Sequence, residues 1–189
     1  ILRGESPGAI VRSAGLAITL QIGSTDMPVS DIVIDGIGFE ATTTTGTIVT
    51  DATGTDIASL LYLQQCARVR VQHCALTVVA SSTQGAPSYI GINLNGVSDV
   101  DLLANRMDNF QIGIASQDYQ GGLHITDNAI AGSSGVFLDQ AESSNGQFGI
   151  HMDTEHTQSC RIENNRIRHF WVGISLRHQS DVTAAITSF

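Results

Sequence analysis

Lysine is missing altogether. Every basic residue of this 189-residue chain is an arginine, and nine of them face 18 acidic residues for a net charge of −9. Without basic clusters, nucleic acid and anionic membrane surfaces are poor partners, and so is a polyanion bound unaided. Cysteine is scarce and odd in number. Cys66, Cys74 and Cys160 cannot all pair internally, and without a CxxC the spacing gives no zinc site. No apolar run is long enough to span a bilayer, and no segment reads as a signal peptide. Hairpin signals and any lasting 3.6-residue apolar stripe are missing too, which argues against meanders and helices.

What is present is a repeat. Apolar residues make up 42% of the chain and mean hydropathy is +0.10, enough for one ordered domain with a core. Ile32-x-Ile34 leads to Ile37 and Phe39, and Val69-x-Val71 to Cys74 and Leu76. Val100-x-Leu102 leads to Asn105 and Met107, Leu123-x-Ile125 to Asn128 and Ile130, and Cys160-x-Ile162 to Asn165 and Ile167. A further cycle opens at Val182-x-Ala184 and reaches Thr187 and Phe189. The key position recurs after 37, 31, 23, 37 and 22 residues, so the bare repeat is about 22–23 residues and the longer cycles carry inserted loops. These loops are expected near 40–58, 77–89 and 131–147.

Period-two alternation makes the cycles strands, and short strands without hairpin turns stack as coils of a solenoid. Asn at the key position then has a purpose. Rungs lie about 4.8 Å apart, so an inward Asn can donate to the Asn of the next rung and satisfy backbone at the bend. Asn105, Asn128 and Asn165 are expected to form that ladder, with Ile37 and Cys74 in its place on one side and Thr187 on the other. A second strand follows at "IGINL", "IGIAS", "FGIHM" and "VGISL", with "LLYL" filling the place earlier in the chain. "SSGVFLD" competes with "FGIHMD" for one rung, and the latter is the better fit.

This pattern resembles the right-handed parallel β-helix repeat of the pectate-lyase-like superfamily over about residues 30–189, and "ILRGESPGAIV" with "LAITLQIG" resembles its entry coil. The expected fold is one all-β, right-handed parallel β-helix domain, 1–189, of about six coils. No helix or polar cap covers either end of the repeat, which suggests a segment of a longer chain, or a protomer of a homotrimer or neighbour of other domains that cap it. Such folds carry polysaccharide lyases, hydrolases, esterases, tailspikes and adhesins, so the resemblance points to polysaccharide, in an extracellular, secreted or virion-surface setting, without choosing an activity. Motifs of polygalacturonases and pectate lyases are absent, and "SQDYQGG" is only faintly similar to the Gln-Asp-Thr of pectin methylesterases.

In this superfamily carbohydrate lies along an outer groove of one sheet, so the outward columns beside the Gly-Ile strands matter. One runs Tyr62, Asn93, Ala115, His151, Ser175 and the next Gln64, Asn95, Gln117, Asp153, Arg177. Tyr62, Asn93, Asn95 and Gln117 suit sugar hydroxyls, and equally suit a plain wet sheet. "HMDTEH" is the densest cluster: His151, Asp153 and Glu155, with Arg177 one rung above Asp153 and Asp118 and Asp139 at neighbouring strand ends. Carboxyls roughly 5–9.5 Å apart could hydrolyse a glycosidic bond. A lyase would use a base and a cation, for which His151 or Arg177 would serve. The simpler alternative is a cross-rung Asp153–Arg177 ion pair. Arg70 and Asp101 form a charge pair in the column Val33, Arg70, Asp101, His124, Arg161, where His124 reads as a solvated surface residue. Trp171 is core or a sugar-stacking platform. No cofactor motif is present; Ca²⁺ would enter only as a bridge to an acidic glycan. The competing function is a structural stalk or spike segment without a catalytic site.

Overall fold

A computed structural model describes residues 1–4, 8–14, 18–43, 59–80, 90–119, 121–132, 148–154 and 159–178. The chain winds through three strands per coil. The first coil is β1 (Leu2–Arg3), β2 (Ile10–Ala14) and β3 (Ile18–Ile22); the second is β4 (Val29–Asp35), β5 (Gly38–Thr43) and β6 (Ser59–Gln64). The third is β7 (Cys66–Gln72), β8 (Ala75–Ala80) and β9 (Ile90–Asn95), and the fourth β10 (Ser98–Leu103), β11 (Arg106–Phe110) and β12 (Ile112–Gln117). The fifth is β13 (Leu123–Thr126), β14 (Ala129–Gly132) and β15 (Phe148–Thr154). The sixth is β16 (Cys160–Glu163), β17 (Arg166–Arg168) and β18 (Val172–His178). Every strand pairs in parallel with the strands three before and three after it, which gives three six-stranded sheets: a parallel β-helix of six coils.

Alternation fixes what faces inward. Sheet 1 stacks Ile34, Val71, Leu102, Ile125 and Ile162 in register. Sheet 2 stacks Val11, Phe39, Leu76, Met107, Ile130 and Ile167. Sheet 3 stacks Leu20, Leu61, Ile92, Ile114, Ile150 and Ile174. The middle members of these columns form one continuous core. Each fully buried aliphatic side chain contributes about 1.5–3 kcal/mol, so the columns are the main stabilising term.

The ladder sits at the corner between sheets 1 and 2. Asn105 Nδ2 donates to Asn128 Oδ1 at 3.1 Å, and Asn128 Nδ2 to Asn165 Oδ1 at 3.0 Å. The same oxygens accept the backbone N–H groups of Asn105 and Asn128 at 2.9 Å, and Asn105 Oδ1 accepts from Cys74 N. The amides also donate to the carbonyls of Val71, Leu102 and Ile125, one rung earlier. Cys74 continues the pattern weakly, with its Sγ directed at the Gln72 and Ile34 carbonyls. The residue before the ladder position is left-handed in every coil that has one: Gly36, His73, Ala104, Asp127 and Asn164 have φ between 51° and 67°.

The strand pattern is richer than the sequence expectation. The stretch after the ladder position is itself a strand, so a coil has three strands, not two; it is as short as three or four residues in β17 and β14, too few for alternation to register. As expected of an entry coil, the "ILRGESPGAIV" and "LAITLQIG" stretches carry β1, β2 and β3, which pair with the second coil. Strand occupies the first residues of the three stretches expected as loops: β5 runs to Thr43, β8 to Ala80 and β14 to Gly132. Residues 44–58, 81–89 and 133–147, and the cycle at Val182, lie outside the described residues. "FGIHMD" takes the contested rung, as β15.

Candidate functional site

Sheet 1 carries the feature that sequence reasoning passed over. In β4, β7 and β10 the residue before the inward Ile32, Val69 or Val100 is left-handed: Asp31 at φ 61°, Arg68 at 52° and Asp99 at 52°. Pairing skips these residues, going from Ser30–Ala67 to Ile32–Val69 and from Ser98–Ala67 to Val100–Val69. Because the irregularity recurs on successive rungs, the register survives it. The three side chains leave the normal alternation and form a charged rail beside the outward column of Val33, Arg70, Asp101 and His124.

The two rails and the gap between them make an open trough of about 430 Å³, lined by both rails together with Ile32, Val69 and Gly122. Arg68 grips Asp31 with two bonds of 2.7 Å. Those bonds, helped by Ser30, hold the Asp31 carboxyl down at about 2. Asp101 is shared: one oxygen takes Arg70 at 2.8 Å, and the other meets His124 Nδ1 at 3.0 Å. That leaves His124 Nε2 as the imidazole nitrogen not engaged by Asp101, on a side chain about half exposed. Asp99 accepts the Gly122 N–H at 3.3 Å. At the edge of the sheet, Asp35 lies between Arg3 and His73, and chiefly the His73 bond holds its carboxyl below the usual range. The result is an open surface of alternating donors and acceptors over an aliphatic floor.

The residues expected on sheet 3 fall as follows. The two outward columns are in register, Tyr62–Asn93–Ala115–His151–Ser175 and Gln64–Asn95–Gln117–Asp153–Arg177. Their exposure varies along the face. Tyr62 and Asn93 are each 4% exposed, Ala115 is buried, and Asn95 and Gln117 are half-buried. His151 is half-buried with its ring stacked 4.6 Å from that of Phe148. Asp153 and Arg177 are backbone partners on adjacent rungs, and their side chains lie outside the described set, as do Glu155 and Asp139. Asp118 is exposed at φ 52° in the turn after β12, in the place that Gly23, Gln65 and Gly96 occupy in earlier coils. Asp is among the few residue types that take that conformation readily, which accounts for it without chemistry.

Of the cysteines, Cys66 and Cys74 are buried core thiols. Cys160 lies on an exposed rung with its Sγ 3.6 Å from Met152 Sδ, and burial of the sulfur pushes the thiol up to about 11. Trp171 is 52% exposed, not core. Among the described residues no three His, Cys, Asp or Glu side chains are grouped to hold a metal ion, and no helix is long and apolar enough to cross a membrane.

Comparison with protein-family profiles, curated proteins and solved structures found no match to this chain. Its chemistry therefore rests on its own side chains. The trough did leave a trace in the sequence: "SDIVI", "ARVRV" and "SDVDL" each place a charged residue just before an inward β-branched one. The backbone irregularity that brings those residues beside the next column has no signature of its own.

Proposed function

We propose that this chain is a β-helix of the pectate-lyase-like kind that recognises a polysaccharide along the outer trough of sheet 1, in an extracellular or virion-surface setting. The observation that carries it is the pair of charged rails. They run across the rungs, as an extended glycan would lie, and present Asp31 on one rung, Arg68 and Arg70 on the next and Asp99 and Asp101 on the third as acceptors and donors for sugar hydroxyls. Arg and Asp already held by each other are preorganised, so less side-chain entropy is lost on binding. The mix of signs suits a neutral or weakly charged glycan, and Ca²⁺ would extend this to an acidic one.

Cleavage is the further step of the proposal. Asp99 and Asp101 both line the trough, two residues apart on β10. In this proposal one carboxyl protonates the glycosidic oxygen while the other attacks or activates water, a division of labour that works at roughly 5–9.5 Å. The cluster of His151, Asp153 and Arg177 on sheet 3 is the competing centre.

A depolymerisation screen against neutral and acidic polysaccharides tests this, following new reducing ends and the ultraviolet absorbance of unsaturated uronates, with and without Ca²⁺. Reducing ends alone, lost in Asp101→Ala but kept in Asp153→Ala, are the expected result for a hydrolase in the trough. The ultraviolet signal would instead indicate a lyase. Loss in Asp153→Ala alone would move the site to sheet 3. No binding or cleavage across the panel would refute the proposal.

The second reading, a stalk or spike segment acting as a homotrimer or beside capping domains, is favoured by the ladders. The Asn bonds and the Arg70–Asp101 and Arg68–Asp31 pairs all run from rung to rung, which is what a rigid rod requires.

A further inference from the structure

Nearly every arginine whose side chain is described is neutralised by a carboxylate. Arg3 pairs with Asp35, Arg12 with Glu40, Arg68 with Asp31, Arg70 with Asp101, Arg106 with Asp108 and Arg161 with Glu163. Arg166 and Arg168 are different. Among the described residues neither has an acidic partner, in a chain with twice as many acids as bases. They stand two apart on β17 and so project from the same face of sheet 2. Like charges so placed repel each other, and among the described residues no carboxylate forms an ion pair with either.

Their surroundings form a receptacle. In register beneath Arg166 and Arg168 are Ala129 and Ala131, and beneath those Arg106 and Asp108. The small alanine row leaves a cleft of about 220 Å³ between two arginine-bearing rungs, lined by these six residues and Ile130. Arg106 is fixed at its edge by Asp108, 2.6 Å away. Three guanidinium groups against one carboxylate make the cleft locally cationic. The net −9 of the whole chain does not cancel this, because charges beyond roughly 8 Å are screened at physiological salt. Guanidinium forks match planar and tetrahedral oxyanions in a way that lysine does not.

We propose that this arginine-walled cleft on sheet 2 binds a compact oxyanion, the carboxylate, sulfate or phosphate group of a ligand. It is separate from the trough on sheet 1 and does not depend on what the trough binds. Arg166 and Arg168 supply the principal donors, Arg106 a prepositioned third, and the alanine floor the space.

The test titrates the whole protein at fixed ionic strength with sodium sulfate, sodium glucuronate and, as the uncharged control, glucose. Binding is followed by calorimetry and by the arginine Nε–H resonances. Saturable binding of one or both anions, none of glucose, and affinity at least about fivefold weaker in Arg166→Ala/Arg168→Ala is the expected result, since each lost charge-assisted bond weakens binding about that much or more. Sulfate alone would point to sulfate or phosphate esters, glucuronate alone to uronates. Ala131→Leu keeps all three arginines and fills the floor, and should weaken binding as well. No saturable binding of either anion, or equal affinity in the double variant, would overturn the proposal. The arginines are exposed, so circular dichroism of the double variant should match the parent and exclude misfolding as the cause of any loss.

Discussion

At the scale of single residues, the Asn ladder is the feature that sequence and structure share most fully. An amide in an apolar column is costly unless paired, so its recurrence at one repeat position implied a partner on the next rung. Asn128 lies at the centre, with bonds to both neighbours and to the Leu102 and Thr126 carbonyls. Asn128→Ala should cost about 2–4 kcal/mol in urea unfolding, because it leaves the buried Asn105 N–H without its acceptor and takes one donor from the Leu102 and Thr126 carbonyls. A cost below about 1 kcal/mol would mean that the ladder is incidental. What the residues did not announce is backbone conformation. Ala104 is held at φ 51°, where a Cβ is unfavourable. Ala104→Gly is expected to stabilise the fold by roughly 0.5–1 kcal/mol, in contrast to glycine's usual effect inside a β-protein.

Elements are governed by stacking from coil to coil. The Gly-Ile phrase was visible as a strand start, whereas the need for glycine comes from the neighbouring rung. A Cβ on Gly113 would overlap Ile130 Cγ2 and sit 2.6 Å from the Gly149 carbonyl oxygen, while on Gly173 it would meet nothing within 4 Å. Gly113→Ala should therefore cost about 2–4 kcal/mol or prevent folding, and Gly173→Ala should be tolerated; thermal melts of the two variants distinguish them. Sheet 1 also responds to acid. The Asp31 carboxyl is held at about 2 against an ordinary 3.8, and that of Asp35 is lowered too. The unfolded chain binds these protons first, so the stabilisation is present above pH 3.8 and is lost as pH falls towards 2. The melting temperature should fall across that interval, and Asp31→Asn should make the fall shallower. Neither the left-handed residue in each of β4, β7 and β10 nor the trough it creates could be deduced from alternation, which assumes that every residue of a strand takes its turn.

For the molecule as a whole, a 22–23-residue repeat with period-two strands left few architectures, and three stacked parallel sheets are what results. Placing the site was harder. Outward columns are readable from register alone, but which face is open depends on what covers each sheet. Tyr62 and Asn93 are outward in register and buried in fact, whereas Arg70, Asp101 and His124 are outward and open. The central claim, that sheet 1 is the glycan-reading face, is tested most directly by titrating an oligosaccharide selected from the polysaccharide screen. Four proteins are compared: the parent, Arg70→Ala, His124→Ala and, on sheet 3, Asn95→Ala/Gln117→Ala. Affinity reduced about tenfold by either sheet 1 substitution and unchanged by the sheet 3 pair is the predicted result. Affinity lost with the sheet 3 pair and retained without Arg70 and His124 would contradict it.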